Sequence, residues 1–378
     1  LFTDIVMPEV NGRKLADAGN VAARYDLEAI KAAVLKEGGS FILFGGEPLL
    51  VPKKDLEHLW AWGLERFKSN GIQTNGTLID DDHIELFKKY KVHVGISIDG
   101  PGWLNDVRWA GSLERTRTHT AVAEEAIERL CREGIPPSLI VTLHSGNATA
   151  DKLPAMHDWF RRLDRMGVTS ARLHVLEVET EDVRGQYALS TEENLAALLS
   201  FVDLEGELVS LSLDLFRDME NLLVGSDRNT TCVWNACDPQ NTAAVRGVEG
   251  FGQRSNCGRV NKDGVDAHNA DRMCYERYLS LYATPQEYGG CSGCRFFLMC
   301  KGQCPGTAID GDWRNRTEHC DLWKRVFEHL ERRVMARGVV PLSLATDRAT
   351  IEQNVIRGWE SSTNNCVASA LETVRGGR

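Results

Sequence analysis

The segment Cys291-Ser-Gly-Cys294-Arg-Phe-Phe-Leu-Met-Cys300-Lys-Gly-Gln-Cys304 places four thiols in fourteen residues, with the spacing CX2CX5CX3C. Cys320 follows after a loop. Upstream, Cys237, Gly252 and Cys257 stand in the order CX14GX4C, with Cys232 just ahead. Thiolates at this density serve soft metals, because sulfur suits zinc, copper(I) or iron–sulfur clusters. Disulfides need an oxidising compartment and mostly staple small secreted domains. A chain of 378 residues with no signal peptide argues against them. Structural zinc is the stronger rival, since CX2C pairs form zinc knuckles. Zinc sites tend to pair two such elements, and the only CX2C here is Cys291/Cys294. The spacing therefore favours iron–sulfur ligation and leaves zinc as the alternative.

Composition sets the frame for these thiols. Hydrophobic residues at 42% and charged residues at 26% belong to a globular protein with room for two cores. No apolar run reaches the roughly eighteen residues of a membrane helix. A net charge of −10 argues against a nucleic-acid partner, which would call for a basic patch. Eleven cysteines without an export signal point to a reducing cytoplasm.

The elements that must position the chemistry alternate from Asp26 onward. Asp26 caps a helix carrying Leu27, Ile30 and Val34, which stops at Gly38-Gly39. Phe41 to Phe44 reads as a buried strand, and Leu56, Leu59, Trp60, Leu64 and Phe67 stripe the next helix. Helices around Ile84–Tyr90, Ala121–Arg132 and Leu153–Met166 then alternate with strands at Val92–Ile98, Leu139–Leu143 and Ala171–Val178. This rhythm predicts right-handed βαβ units and a parallel sheet. Ser190-Thr-Glu-Glu193 is a capping box, and a second helix around Leu213–Leu223 leads into the cysteine region.

Chemistry in such folds collects at the carboxyl ends of the strands. Three turns fall there: Gly45-Gly46-Glu47-Pro48, Thr74-Asn75-Gly76, and Ser97-Ile98-Asp99-Gly100. The first resembles the GGEP motif of radical S-adenosylmethionine (SAM) enzymes, and the others resemble family segments lining the SAM pocket. The cysteine pattern is similar to that of the SPASM domain found in the same enzymes. The resemblance implies an α/β partial (β/α)6 TIM-like barrel over residues 1–185 and bridging helices over 186–231. It further implies a SPASM iron–sulfur domain over 232–330, and a helical tail follows over 331–378.

The implied SAM contacts are Gly45, Gly46, Glu47, Pro48, Thr74, Asn75, Ser97 and Asp99, with Glu47 near the SAM ammonium. Two auxiliary [4Fe–4S] clusters are implied. One is held by Cys291, Cys294, Cys300 and Cys320, the other by Cys232, Cys237, Cys257 and Cys304, with Cys274 as a substitute for Cys232. Cys131 reads as a core residue, Cys366 as free, and His144 as structural. No catalytic base can be named.

Such enzymes mostly modify ribosomally made peptides by crosslinking, epimerisation or oxidation. That implies a peptide substrate, either a separate leader-binding protein or direct recognition of the core peptide, and a flavodoxin- or ferredoxin-type electron donor. Sulfatase-maturating members carry an aspartate directly after the GX4C cysteine; Gly258 stands there instead, which speaks against formylglycine formation. One departure is serious. The catalytic cluster of the family uses CX3CX2C, yet residues 1–130 contain no cysteine, and Leu1 to Asn20 offers no clear founding strand. An internal segment missing near Pro8 to Gly12 is the favoured explanation. The alternatives are a cluster-bearing scaffold that never cleaves SAM, and an enzyme acting on a small molecule.

Overall fold

The computed structural model describes residues 2–6 and 25–376, apart from 179, 239–241, 243, 256, 258, 260–273 and 364–365. Two compact units divide the chain: residues 1–189, 200–213 and 246–255 form the first, and residues 190–199, 214–245 and 256–378 the second.

The first unit is built from β1 (Phe2–Val6), α1 (Leu27–Glu37), β2 (Ser40–Phe44), α2 (Lys53–Phe67), β3 (Asn70–Thr74), α3 (Asp81–Lys89) and β4 (Val92–Ser97). The alternation goes on through α4 (Leu113–Arg132), β5 (Ser138–Leu143), α5 (Leu153–Met166) and β6 (Ser170–Val175). After α6 (Glu181–Tyr187) and α7 (Thr191–Glu205), the short strand β7 (Ser212–Leu213) closes one edge of the sheet. The order is β7-β6-β5-β4-β3-β2-β1-β8-β9, parallel throughout except for the last pair. This is the partial (β/α)6 barrel that the strand–helix rhythm and the resemblance imply.

Local sequence explains the elements. The Asp26 side chain accepts from the N–H groups of Glu28 and Ala29, satisfying two orphan donors of α1, and Gly38 ends the helix with φ 77°. Phe41 and Leu43 are buried on alternate residues of β2, as are Leu139, Val141 and Leu143 on β5. Ser112 caps α4 by accepting from the Arg115 N–H, so that helix begins two turns earlier than its apolar spacing suggests.

The founding strand is present. β1 pairs in parallel with β2, Phe2 opposite Ser40 through Val6 opposite Phe44. Periodicity failed to reveal it because a five-residue strand interrupted by Thr3 and Asp4 has no readable alternation. The expectation of no strand in this stretch is corrected; Pro8 to Gly12 lies outside the described residues.

Two further strands come from the cysteine-rich segment. β8 (Arg246–Val248) pairs in parallel with β1, and β9 (Arg254–Ser255) runs antiparallel to β8. Their arginines explain the attachment. Arg246 Nη1 lies 2.9 Å from Glu37, a carboxylate buried on α1, and Arg254 pairs with the same group. Between them, Gly252 has φ +79°, and a Cβ there would come within 2.7 Å of the Ala29 carbonyl. The spacing element of CX14GX4C is a glycine here because its loop lies directly on α1.

The second unit contains α8 (Asp214–Leu223), α9 (Glu276–Ala283), α10 (Phe297–Cys300), α11 (Cys320–Ala336), α12 (Arg348–Glu360) and α13 (Val367–Gly376). Its capping box forms as read, with the Glu193 N–H donating to Ser190 Oγ at 3.2 Å and the Ser190 N–H to Glu193 Oε2 at 2.9 Å. The core is aromatic: Trp234 meets Trp323 and Phe327, with ring centroids at 5.6 and 5.4 Å. Trp359 of α12 stacks on Tyr275. Asp227 caps α13 by accepting from the Val367 and Ala368 N–H groups, which fixes the last helix to this unit. Among the described residues no helix is long and apolar enough to cross a membrane.

Candidate functional site

Two constellations carry the chemistry, one in each unit. In the first, the turn after β2 is left-handed at both glycines, φ 92° at Gly45 and 53° at Gly46, with open space where a Cβ of Gly46 would stand. Pro48 is buried and opens a short 3-10 turn. Glu47 ties this turn to the next strand end. Its Oε1 accepts from Thr74 Oγ1 at 2.6 Å and from the Leu49 N–H at 3.1 Å, and its Oε2 accepts from the Asn75 N–H at 2.9 Å. Oε2 keeps lone-pair capacity for one further donor. Thr74 Oγ1 in turn accepts from the Gly76 N–H at 3.1 Å, and Asn75 Oδ1 from the Thr77 N–H at 2.8 Å. Ser97 Oγ receives Gln73 Nε2 at 2.8 Å, joining the ends of β3 and β4.

Asp99 takes a different part. It is buried, and Arg108 grips it with both ends of its fork, at 2.8 and 3.0 Å, while the Thr142 N–H donates to it at 2.8 Å. Asn147 Nδ2 donates to the Asp99 carbonyl at 2.7 Å, and the Asp99 N–H donates to Asn105 Oδ1 at 2.8 Å. Burial pushes the carboxyl upward in pKa. Contacts from His144, Arg108 and Thr142 outweigh it and hold the group below the usual carboxylate range. With its oxygens so engaged, Asp99 acts as a girder between the ends of β4 and β5. His144 is buried as well. Its Nδ1 accepts from the Gly146 N–H at 3.0 Å, and its Nε2 lies 3.7 Å from Asp99. Sequence reasoning missed Arg108, Asn105 and Asn147, which sit in loops with no periodicity to mark them.

In the second unit, Cys291, Cys294, Cys300 and Cys320 line one cavity, walled by Phe296, Phe297 and Phe327 and bordered by Arg316 and Lys324. Burial and the neighbouring thiols Cys294 and Cys320 push the Cys291 thiol up to about 12. Cys300 is pushed well above its ordinary value by burial and then by Cys291, Cys320 and Cys294. Cys237 is raised by burial and by Cys232, Cys257 and Cys304, the other three of its expected set. For Cys237, Cys291 and Cys300, burial is the first cause of that resistance to ionising and the neighbouring thiols the second. A polycation between them reverses that logic, since metal-bound thiols deprotonate outright. Among the described residues no three ligand-type side chains meet closely enough for a single ion.

Lys301, Gly302 and Gln303 are consecutively left-handed, φ 49°, 74° and 59°, and this turn separates Cys300 from Cys304. Gly258 lies outside the described residues. Cys131 is half-buried on α4, and Cys366 Sγ stands 3.1 Å from Ser369 Oγ.

The barrel with its glycine turn and the thiol-rich second unit define a radical SAM protein of the SPASM type. The Radical SAM superfamily profile matches residues 16–160. The cysteine-type anaerobic sulfatase-maturating enzyme of Clostridium perfringens strain 13 is 39% identical over 333 residues, covering 80% of this chain and 85% of that enzyme. The chain therefore belongs to the radical SAM superfamily, as a relative of the anaerobic sulfatase-maturating enzymes. The serine-type enzyme of Klebsiella aerogenes is 30% identical over 158 residues, or 40% of this chain; that match spans only 37% of the Klebsiella enzyme. The solved structure of anSMEcpe with bound AdoMet and Cp18Cys peptide superposes with a TM-score of 0.63 at 21% identity, covering 83% of this chain and 91% of that one, which speaks for the fold.

Proposed function

We propose that this protein is a radical SAM enzyme that modifies a side chain or backbone position of a ribosomally made peptide, by crosslinking, epimerisation or oxidation. The observation that carries the reading is the four-thiol cavity of Cys291, Cys294, Cys300 and Cys320 beside a second thiol group centred on Cys237. Both sets match the number and softness of donors that a [4Fe–4S] cluster takes. With four thiols assigned to each, neither cluster keeps an open iron for substrate, which fits an electron-transfer role.

SAM with its catalytic cluster supplies, when bound, a 5′-deoxyadenosyl radical that abstracts hydrogen from a substrate. No cysteine precedes Cys131, so the CX3CX2C ligands of that cluster are not among these residues. The residues present do fit the amino-acid end of SAM. The glycine turn leaves the backbone approachable, and Glu47 Oε2 has room for an ammonium donor. Thr74 and Asn75 fix that carboxylate in place, Gln73 orients Ser97, and Asp99 with Arg108 stiffens the next strand end.

A peptide substrate is supported by the peptide in the superposed anSMEcpe structure. Gly258 supports a product other than formylglycine, while the Clostridium relative favours a second reading, maturation of a sulfatase cysteine or serine. A leader-binding partner and a flavodoxin- or ferredoxin-type donor complete the proposal.

The test uses protein expressed from the uninterrupted gene and reconstituted with iron and sulfide. It is supplied with SAM, dithionite and separate peptides of the precursor and sulfatase types, and followed by 5′-deoxyadenosine release and peptide mass. A mass change in the precursor peptide alone is expected. Change in the sulfatase peptide alone transfers the assignment to the second reading. SAM cleavage with neither peptide, or none at all, overturns both.

A further inference from the structure

Arg277 on α9 is 1% exposed, yet among the described residues no carboxylate lies within ion-pair distance of it. Its donors all go to neutral oxygens. Nε reaches the Trp313 carbonyl at 2.6 Å and Nη2 the Asn315 carbonyl at 2.9 Å. Nη1 is shared between the Tyr278 hydroxyl at 3.1 Å, the Gln303 carbonyl at 3.3 Å and the Cys237 carbonyl at 3.4 Å. A guanidinium cannot shed its proton in a protein, so this is a fixed positive charge. Hydrogen bonds to carbonyls satisfy its N–H groups but do not neutralise it, and a buried charge without a counter-charge is strongly disfavoured.

The acceptors show where the counter-charge belongs. Cys237 is an expected ligand of one cluster, and Gln303 precedes Cys304, a ligand of the same cluster. Trp313 and Asn315 belong to the loop that runs on to Arg316, Thr317 and Cys320 at the other cavity. Nη2 would stand 3.7 Å from a Cβ on Gly302, which lines that cavity too.

We infer that Arg277 is the shared counter-charge of the two auxiliary clusters, making both easier to reduce. The inference rests on the cluster reading above. A cluster held by four thiolates is anionic and gains one negative charge when it accepts one electron. A fixed cation close to both stabilises the reduced form of each, the electron coming from an external donor. Arg277 is a positioning and tuning residue, since it touches ligand carbonyls and no reacting atom.

The experiment compares wild type, Arg277→Gln, Arg277→Lys and Tyr278→Phe, each reconstituted anaerobically, assayed for iron and titrated potentiometrically with paramagnetic resonance of the reduced clusters. Wild type lacking the iron of two auxiliary clusters sinks the cluster reading itself; every later outcome bears on Arg277 alone. In Arg277→Gln the one-electron reduction constant of both clusters should fall about tenfold, a shift of about 59 mV for each. Arg277→Lys should restore both potentials, and Tyr278→Phe, which removes only a neutral acceptor, should leave them unchanged. Loss of iron in Arg277→Gln with retention in Arg277→Lys also supports the charge role. Unmoved potentials, a shift in one cluster only, an equal shift in Tyr278→Phe, or loss of iron from the Gln and Lys variants alike overturns it.

Discussion

The two units solve the problem of buried polarity in opposite ways. In the first, two buried carboxylates have their opposites on other elements: Glu37 with Arg246 and Arg254, Asp99 with Arg108. In the second, burial gathers groups of like tendency, thiols around Cys291 and Cys237, with the cation Arg277 among carbonyls. Even Lys301, whose pKa burial lowers, meets Asp227 only at 3.5 Å. On the proposed cluster reading, the stability of the second unit would be tied to its clusters.

The sharpest way to break this contrast is to remove ligands. Cys291→Ala with Cys294→Ala should cost one auxiliary cluster's iron, and Cys257→Ala with Cys304→Ala the other's. Both should lower the yield of folded second unit while the barrel's helical signal persists. Iron analysis and circular dichroism read this, and full iron retention in either protein would refute the division of ligands.

The next effect lies in the barrel. Asp99→Ala leaves Arg108 with its fork unmatched. It should cost about 2–3 kcal/mol in denaturant unfolding, less than the roughly 3–5 of a fully buried pair because Arg108 keeps about a third of its side chain exposed. A neutral result would mean that the girder is ornamental. The same carboxylate gives a pH signature. Its folded pKa lies below the unfolded value near 3.9, so its contribution is fully present above about pH 4 and drains away as pH falls through the folded pKa. Asp99→Asn should flatten that acid limb of the stability curve.

Glu47→Gln sharpens the contrast differently, since it tests binding. Removing the charge opposite the SAM ammonium should weaken SAM about ten- to a hundredfold by calorimetry. The auxiliary iron should be untouched. Equal affinity would move the ammonium site elsewhere. The smallest effect is expected for Asp26→Ala, which deletes one cap of α1 and should cost about 1 kcal/mol.

Legibility in the sequence follows the same divide. Helices and strands of the barrel were readable because burial imposes periods of 3.6 and 2 on their apolar residues; β2, β4, β5 and β6 fall within a few residues of their expected positions. β1 and the β8–β9 pair were not: Thr3 and Asp4 break the apolar run of β1, and strands of two or three residues are too short to show a period. At the strand ends the glycines and Glu47 stood out by motif, but the work of Asp99 depends on Arg108, Asn105 and Asn147, whose convergence only folding creates. The cysteines were visible by spacing alone. Arg277 was not, since nothing local distinguishes an arginine that will lie between two thiol groups from one that will face water.

The left-handed turn at Lys301, Gly302 and Gln303 sets a timetable for synthesis. A ribosome releases Cys232, Cys237 and Cys257 first, then Cys291, Cys294 and Cys300, and neither proposed ligand set is yet complete. The next ligand to emerge, Cys304, completes the older set; the younger set waits for Cys320. Left-handed residues other than glycine are disfavoured in a free chain, so the three-residue turn gains little by forming early. On a nascent chain the first cluster to be started is therefore the first that can be finished, and the turn is what hands the polypeptide from one to the other.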